Sequence, residues 1–261
     1  MQWAGSPGAA LDADCRVLLA YRLRYREGAS TVVARSDDGE RFETLATLRD
    51  EQFGAMSMER PALVRTKTGR WRLYVCCATQ GSKHWWIAAL DADDPADFGS
   101  AEPRTVFPGD EQTGVKDPIV KRTNGGWEAW ICCHPLDEPD EEDRMSSAYA
   151  TSEDGLDWTW HGTVLTGRPG KWDARGARLT AVLRDGRAAY DGRATKEENW
   201  FERTGFGQRR TDGRYEAIGD EPVFDAWYLE VLPLPTGGCR IYYEARLPDE
   251  SHELRTELIG P

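Results

Sequence analysis

A short pattern recurs five times along this chain of 261 residues. Each copy is a marker position followed by an apolar, strand-like run: Cys15-Arg16-Val17-Leu18-Leu19-Ala20, Trp71-Arg72-Leu73-Tyr74-Val75-Cys76, Trp127-Glu128-Ala129-Trp130-Ile131-Cys132, Arg187-Ala188-Ala189-Tyr190-Asp191-Gly192 and Cys239-Arg240-Ile241-Tyr242-Tyr243-Glu244. The markers stand at 15, 71, 127, 187 and 239, so successive copies are 56, 56, 60 and 52 residues apart. A period of this size, filled with short strands, is the signature of radial β-repeats. The chain therefore reads as all-β: a five-bladed β-propeller of four-stranded antiparallel blades around a central pocket. It is expected to form one domain over 1–261, with repeats at roughly 1–55, 56–112, 113–168, 169–224 and 225–261.

The second and third copies show the unit best. Glu59 to Arg65 reads as an inner strand, the turn Thr66-Lys67-Thr68-Gly69 follows, and residues 71–77 form the second strand. The next copy runs Lys116-Asp117-Pro118-Ile119-Val120-Lys121, then Thr123-Asn124-Gly125-Gly126, then residues 127–133. Third strands are expected at about 31–35, 86–90, 147–151, 205–209 and 253–258. They lead into Ser36-Asp37-Asp38-Gly39, Ser152-Glu153-Asp154-Gly155 and Thr211-Asp212-Gly213, turns in which Asx side chains bond the local backbone and Gly supplies positive φ. The last copy shows no fourth strand. Residues 2–10 could close the ring as that strand, or open the first blade as its inner strand.

This organisation separates two faces. Turns between strands 1 and 2, and between 3 and 4, are short. Connections between strands 2 and 3, and between blades, are longer and emerge together on the other face, where function is expected.

A net charge of −12 and a pI near 4.9 argue against a phosphate-binding surface, so nucleic acid is not expected as a partner. No apolar stretch approaches the roughly 20 residues that span a bilayer, and the N-terminal residues lack a basic and an apolar export region. A cytoplasmic location is expected, with no membrane partner. The six cysteines include the vicinal pairs Cys76-Cys77 and Cys132-Cys133, whose side chains must point to opposite faces of a strand. They read as structural thiols, and neither a metal nor a cofactor is expected. The acidic run Asp137 to Asp143 lacks the spacing of a calcium loop and reads as a solvated, mobile lid.

Charged residues stand where the inner strands begin: Glu59 and Arg60, Lys116 and Asp117, Asp173, Arg175 and Arg178, and Glu230. Inner strands line the channel, so these groups are expected to meet at its mouth. Clustered carboxylates with interleaved cations can separate their pKa values, the division of labour that glycoside hydrolysis uses. Asp117, Glu59, Glu230 and Asp173 are the candidate catalytic acids. Arg60, Lys116, His134, Arg175, Arg178, Asp191, Arg193 and Tyr228 are candidate substrate contacts, with Trp85, Trp86 and Trp200 as a stacking platform for a sugar ring.

Five repeats of this length, the Asp117-Pro118 pair on an inner strand and the Ser152-Glu153-Asp154-Gly155-Leu156-Asp157-Trp158 turn resemble the five-bladed propeller glycoside hydrolases. These are the arabinanase/β-xylosidase and invertase/levansucrase families. The resemblance implies that Asp117 orients substrate or tunes the general acid, as in the Arg-Asp-Pro and x-Asp-Pro motifs there. Those families also place an acid on the first inner strand and a general-acid Glu on a later blade. Here residues 1–11 contain no acid, the fourth repeat reads Asp173-Ala174-Arg175-Gly176-Ala177-Arg178, and Glu230 or Glu59 would stand in for the Glu. The resemblance thus implies a glycosidase acting on a small glycoside or furanoside. The several acids at the other strand starts favour that reading, while the missing first-blade acid favours the alternative, a non-hydrolytic propeller that binds a sugar or other polar small molecule, or one recruited to different chemistry in a specialised biosynthetic pathway. A protein-docking propeller, the third reading, gains little support from a chain without a long apolar stretch.

Overall fold

The structure is a computed structural model that describes residues 3–26 and 28–260. Blade I consists of β1 (Trp3–Leu11), β2 (Val17–Tyr25), β3 (Gly28–Ser36) and β4 (Glu43–Arg49). Blade II is β5 (Met58–Arg65), β6 (Trp71–Ala78), β7 (Trp85–Ala92) and β8 (Arg104–Phe107). Blade III is β9 (Thr113–Thr123), β10 (Gly126–Pro135), β11 (Ser146–Ser152) and β12 (Thr159–Leu165). Blade IV is β13 (Gly176–Val182), β14 (Arg187–Arg193), β15 (Arg203–Arg209) and β16 (Tyr215–Ile218). Blade V has three strands, β17 (Trp227–Pro233), β18 (Cys239–Arg246) and β19 (His252–Ile259). Neighbours within each blade pair antiparallel, and β1, β5, β9, β13 and β17 pack around the axis.

The first strand resolves the closure of the ring. Residues 3–11 form the inner strand of blade I, antiparallel to β2, while Gln2 lies outside the described residues. The same strand meets β19 in a parallel pairing at Trp3 and His252, so blades V and I merge into one seven-stranded sheet. Trp3 stacks on His252 with ring centroids 4.2 Å apart and meets Trp200 edge-on at 5.1 Å.

Each blade is covered on both faces, which is why its strands read as nearly continuous apolar runs rather than as alternating ones. Leu18 and Val33 of blade I pack with Leu63, Leu73 and Val75 of blade II, closed off by Phe98. A second device ties blades together at the outer turns. Ser36 Oγ accepts from the Gly39 N–H and Ser152 Oγ from the Gly155 N–H, both at 2.8 Å, which fixes the turn between third and fourth strands. The carbonyls of those glycines then accept from tyrosines one blade away: Tyr242 Oη to Gly39 at 2.9 Å and Tyr74 Oη to Gly155 at 2.7 Å.

The inner strands share a further irregularity. Each ladder to its second strand skips, between Gly5 and Gly8, Glu59 and Ala62, Lys116 and Ile119, Leu179 and Ala181, and Trp227 and Glu230. Three of these bulges contain a proline, Ser6-Pro7, Arg60-Pro61 and Asp117-Pro118, which has no N–H to give to the ladder. Ser6, Asp117 and Tyr228 take left-handed φ of 52°, 51° and 50° there. A bulge bends the strand and re-aims its side chains. Among the described residues, no helix is long and apolar enough to cross a membrane.

Candidate functional site

In blades I, II, III and V the residue just before the bulge, and in blade IV the residue one position earlier, stands opposite a second-strand partner near the axis. On the inner strands these residues are Gly5, Glu59, Lys116, Arg178 and Trp227; opposite them stand Arg22, Cys76, Cys132, Asp191 and Glu244. Glu59, Lys116, Arg178, Trp227 and Arg22 form the floor of a cavity of about 660 Å³ at one mouth of the channel. Its walls come from the connections between second and third strands: Lys83 and, at the start of β7, Trp85 in blade II; Asp140, Glu142, Asp143 and Met145 in blade III; and Lys196, Glu197, Asn199, Trp200 and Glu202 in blade IV. His134, Arg193 and Tyr228 complete the lining.

A guanidinium–carboxylate network holds the floor. Arg178 donates to Asp117 at 3.0 Å, to Asp191 at 2.9 Å and to Glu202 at 2.5 Å. Arg22 joins Glu59 to Glu244, and Arg24 supports Glu59 from outside. Arg193 binds Glu202 and donates to the Asp143 carbonyl at 2.8 Å. Tyr228 sits at the centre: its Oη accepts from Arg178 at 3.1 Å and lies 3.4 Å from Asp117 and 3.5 Å from Glu59. Guanidinium carbons of Arg178 and Arg22 lie 4.0 and 5.9 Å from its ring centroid.

This network sets the protonation pattern. Burial opposes ionisation of Glu59, but Arg22, Arg24 and Lys116 outweigh it and hold that carboxyl well below the usual carboxylate range. Burial pushes Asp191 up to about 6 despite Arg178, with Glu202 adding to the rise. Burial likewise raises Glu230, against the pull of Arg60 and Lys121. The Tyr228 phenol is raised well above its ordinary value by burial. His134 is driven well below the imidazole range by burial and by Lys116, Arg193 and Arg178 beside it.

The structure distributes the sequence candidates unevenly. Glu59, Lys116, His134, Arg178, Arg193, Trp85, Trp200 and Tyr228 line the cavity. Asp117 is fully buried beneath it, with Oδ1 lacking a hydrogen-bond partner, and Asp191 is buried under Arg178. Glu230 and Arg60 pair at 2.6 Å on the far side of the bulges, in a separate channel cavity of about 160 Å³. Asp173 is consumed by Arg168 at 2.8 Å and by the Tyr190 hydroxyl at 2.9 Å, outside the cavity. Trp86 packs against the core between blades I and II. Arg175 pins the acidic loop, bonding Glu141 at 2.5 Å and Asp143 at 2.6 Å, while Arg144 bonds Asp137 at 2.5 Å. That loop is therefore tied into the cavity wall by ion pairs. Among the described residues, no group of three or more His, Cys, Asp or Glu is placed to hold a metal.

Sequence reasoning missed Arg22, Glu202, Trp227 and Glu244. Glu244 was accessible to it, because it occupies in the fifth repeat the place of Cys76 and Cys132, whereas that place in the first repeat is Ala20 and Arg22 lies two residues beyond it. The blade I comparison also becomes specific. Ser6-Pro7 stands at the bulge where blade III has Asp117-Pro118, and Glu244 reaches across from blade V to accept the Ser6 N–H at 3.0 Å. Gly5 leaves the room: a Cβ there would lie 1.9 Å from Glu244 Oε2.

No family model matches the chain, and no curated protein matches it either. Solved structures do. An α-L-arabinofuranosidase from Lactobacillus brevis superposes with TM-score 0.72 at 14% identity, over 99% of this chain and 91% of that one. A β-1,2-mannobiose phosphorylase from Listeria innocua, solved with β-1,2-mannobiose, gives 0.70 at 15% identity, over 98% and 90%. A glycosyl hydrolase from Bacteroides ovatus gives 0.69 at 13% identity, over 100% and 84%. The chain has the fold of the glycoside hydrolase and phosphorylase propellers, at a sequence distance where likeness establishes fold alone.

Proposed function

We propose that the central cavity binds a carbohydrate and that the two-carboxylate machinery of glycoside hydrolysis is not assembled in it. One observation carries this reading: the blade I bulge presents Ser6, and the acid nearest to it, Glu244, is buried against Arg22 and His252, the latter at 2.8 Å. The division of carboxyls agrees. The acid and base of a glycosidase must face the same substrate with different protonation. Here the two carboxyls that burial pushes up, Asp191 and Glu230, lie outside the cavity lining, whereas Glu59 faces the cavity and is held down. A cavity of about 660 Å³ with Trp85 and a half-exposed Trp200 at its walls suits a small saccharide.

A second reading, a glycosidase or an enzyme of other chemistry, is favoured by one contact set: Glu59 and Asp117 converge on the Tyr228 hydroxyl, a phenol that could carry a proton where a carboxyl does not. A panel of aryl glycosides separates the two. The binding reading expects no turnover above buffer, together with saccharide binding measurable by calorimetry. Turnover that disappears in Glu59→Gln would establish the enzyme instead.

A further inference from the structure

Four buried cations line the cavity; three are arginines that donate to carboxylates, although the Nε of each is left without a partner, and the fourth, a lysine, donates to none. Arg22, Arg178 and Arg193 each donate to buried acids. Lys116 lines the same cavity, is only 8% exposed, and among the described residues donates no hydrogen bond. Its nearest carboxylate oxygen, Asp117 Oδ2, is 3.7 Å away. An ammonium largely removed from water and without a protein hydrogen-bond acceptor loses part of its solvation, so a ligand that supplies acceptors recovers it. The side chain is held in place, since Nζ lies 4.8 Å from the centroid of the Trp85 ring.

A second unsatisfied group stands beside it. His134 Nε2 is buried without a partner and also lines the cavity. Lys116 is paired across the ladder with Cys132, and His134 lies two residues further along the same strand, so both project from one face of blade III. The lysine offers three donors and a positive charge. The imidazole is kept neutral by burial and by the cations around it, and can exchange a hydrogen bond with a hydroxyl.

We infer that the cavity selects a sugar acid, with its carboxylate on Lys116 and an adjacent hydroxyl on His134. The inference rests on reading this cavity as a carbohydrate site. The local charge balance favours a carboxylate over a phosphate. Lys116 is the buried ammonium of the lining, Lys83 and Lys196 are exposed on the wall loops, and the second charge of a phosphate seated on Lys116 would face the nearby Glu59, Asp117 and Glu202.

Calorimetric titration of D-glucuronate and D-galacturonate against D-glucose and D-galactose, with inorganic phosphate as a further arm, tests it. A charge-assisted contact in place of a neutral one is worth about a tenfold preference for each uronate over its neutral parent. That preference, read as the ratio of uronate to neutral-sugar affinity within one variant, should collapse in Lys116→Met. Equal binding of acids and neutral sugars would overturn the inference alone and leave the carbohydrate reading standing. So would a preference for phosphate, or a uronate preference that survives Lys116→Met. Absence of binding by every sugar would overturn both. Should Lys116→Met fail to fold, the wild-type comparison of uronates with their parents decides the question by itself.

Discussion

Single residues in this protein act mainly through charge neutralised out of water. Arg178 is 2% exposed and bridges Asp117, Asp191 and Glu202 from three different strands or loops. Replacing it with methionine keeps most of its volume but leaves Asp191 without its cation, and Asp117 and Glu202 with only Lys116 and Arg193. Breaking a buried ion pair by removing one partner costs about 3–5 kcal/mol. Arg178→Met should therefore lower unfolding free energy in urea by at least that range, and Asp191→Asn added to it should recover part of the loss. Loss under about 1 kcal/mol, the worth of an exposed pair, would show that the floor is solvated and the network weak. Tyr228 supplies the complementary case. Its left-handed backbone at φ 50° places a bulky aromatic where such residues rarely sit, and the bulge at Trp227–Glu230 is what turns its ring between Arg22 and Arg178.

At the scale of strands and turns, one motif repeats with a purpose. Arg72-Leu73-Tyr74 on β6 and Arg240-Ile241-Tyr242 on β18 both present arginine and tyrosine on one side of a second strand, to the turn of another blade. Tyr74 bonds the Gly155 carbonyl, Arg72 bonds the Asp154 carbonyl at 2.6 Å, and the Arg72 guanidinium stacks over Trp127 at 5.3 Å. Gly155 is confined twice: its φ is 76°, and a Cβ would lie 2.7 Å from the Trp127 ring and 2.8 Å from Arg72. Gly155→Ala should destabilise the protein by more than the roughly 1 kcal/mol of an ordinary glycine substitution, and Tyr74→Phe by about 1 kcal/mol for its lost hydrogen bond. Thermal melts of both variants check this; an alanine variant as stable as wild type would mean the turn does not bear on its neighbour. Much of this level was legible in the sequence. Ser36-Asp37-Asp38-Gly39 and Ser152-Glu153-Asp154-Gly155 announce their turns, because the side chain that makes the turn is two or three residues from the backbone it bonds. The candidate site was less legible, because its ion pairs join residues as far apart as Arg22 and Glu244. Asp173 and Glu230 looked like site acids from their place near strand starts. What removes them from the cavity is Tyr190 and Arg168 in one case and the bulge of β17 in the other, neither visible in local pattern.

Over the whole molecule, inner and second strands bring acids and cations from every blade to one axis, and this makes stability depend on pH in two opposing ways. Glu59 has a folded pKa depressed below its unfolded value of about 4.3, so the stability it contributes is present above that pH and is lost as pH falls through the acid range. Asp191 has the opposite sign. Its folded pKa of about 6 exceeds an unfolded value of about 3.9, so between those values the folded state holds a proton that the unfolded state does not. Its contribution is greatest at the acid end of that window and fades as pH rises through about 6. The wild-type melting temperature should therefore fall steeply below about pH 4, where Glu59 and, after its own burial is offset by Arg175 and Arg193, Asp143 are forced to protonate. Asp191→Asn isolates the second term, since asparagine cannot ionise. Relative to wild type, that variant should be more favourable at pH 7.5 than at pH 5, whatever its absolute stability. Differential scanning calorimetry at the two pH values measures the difference of differences directly. A mutant-minus-wild-type gap that does not change between them would mean that Arg178 keeps Asp191 ionised throughout, and that the floor of the cavity carries one more negative charge at neutral pH than the raised pKa allows.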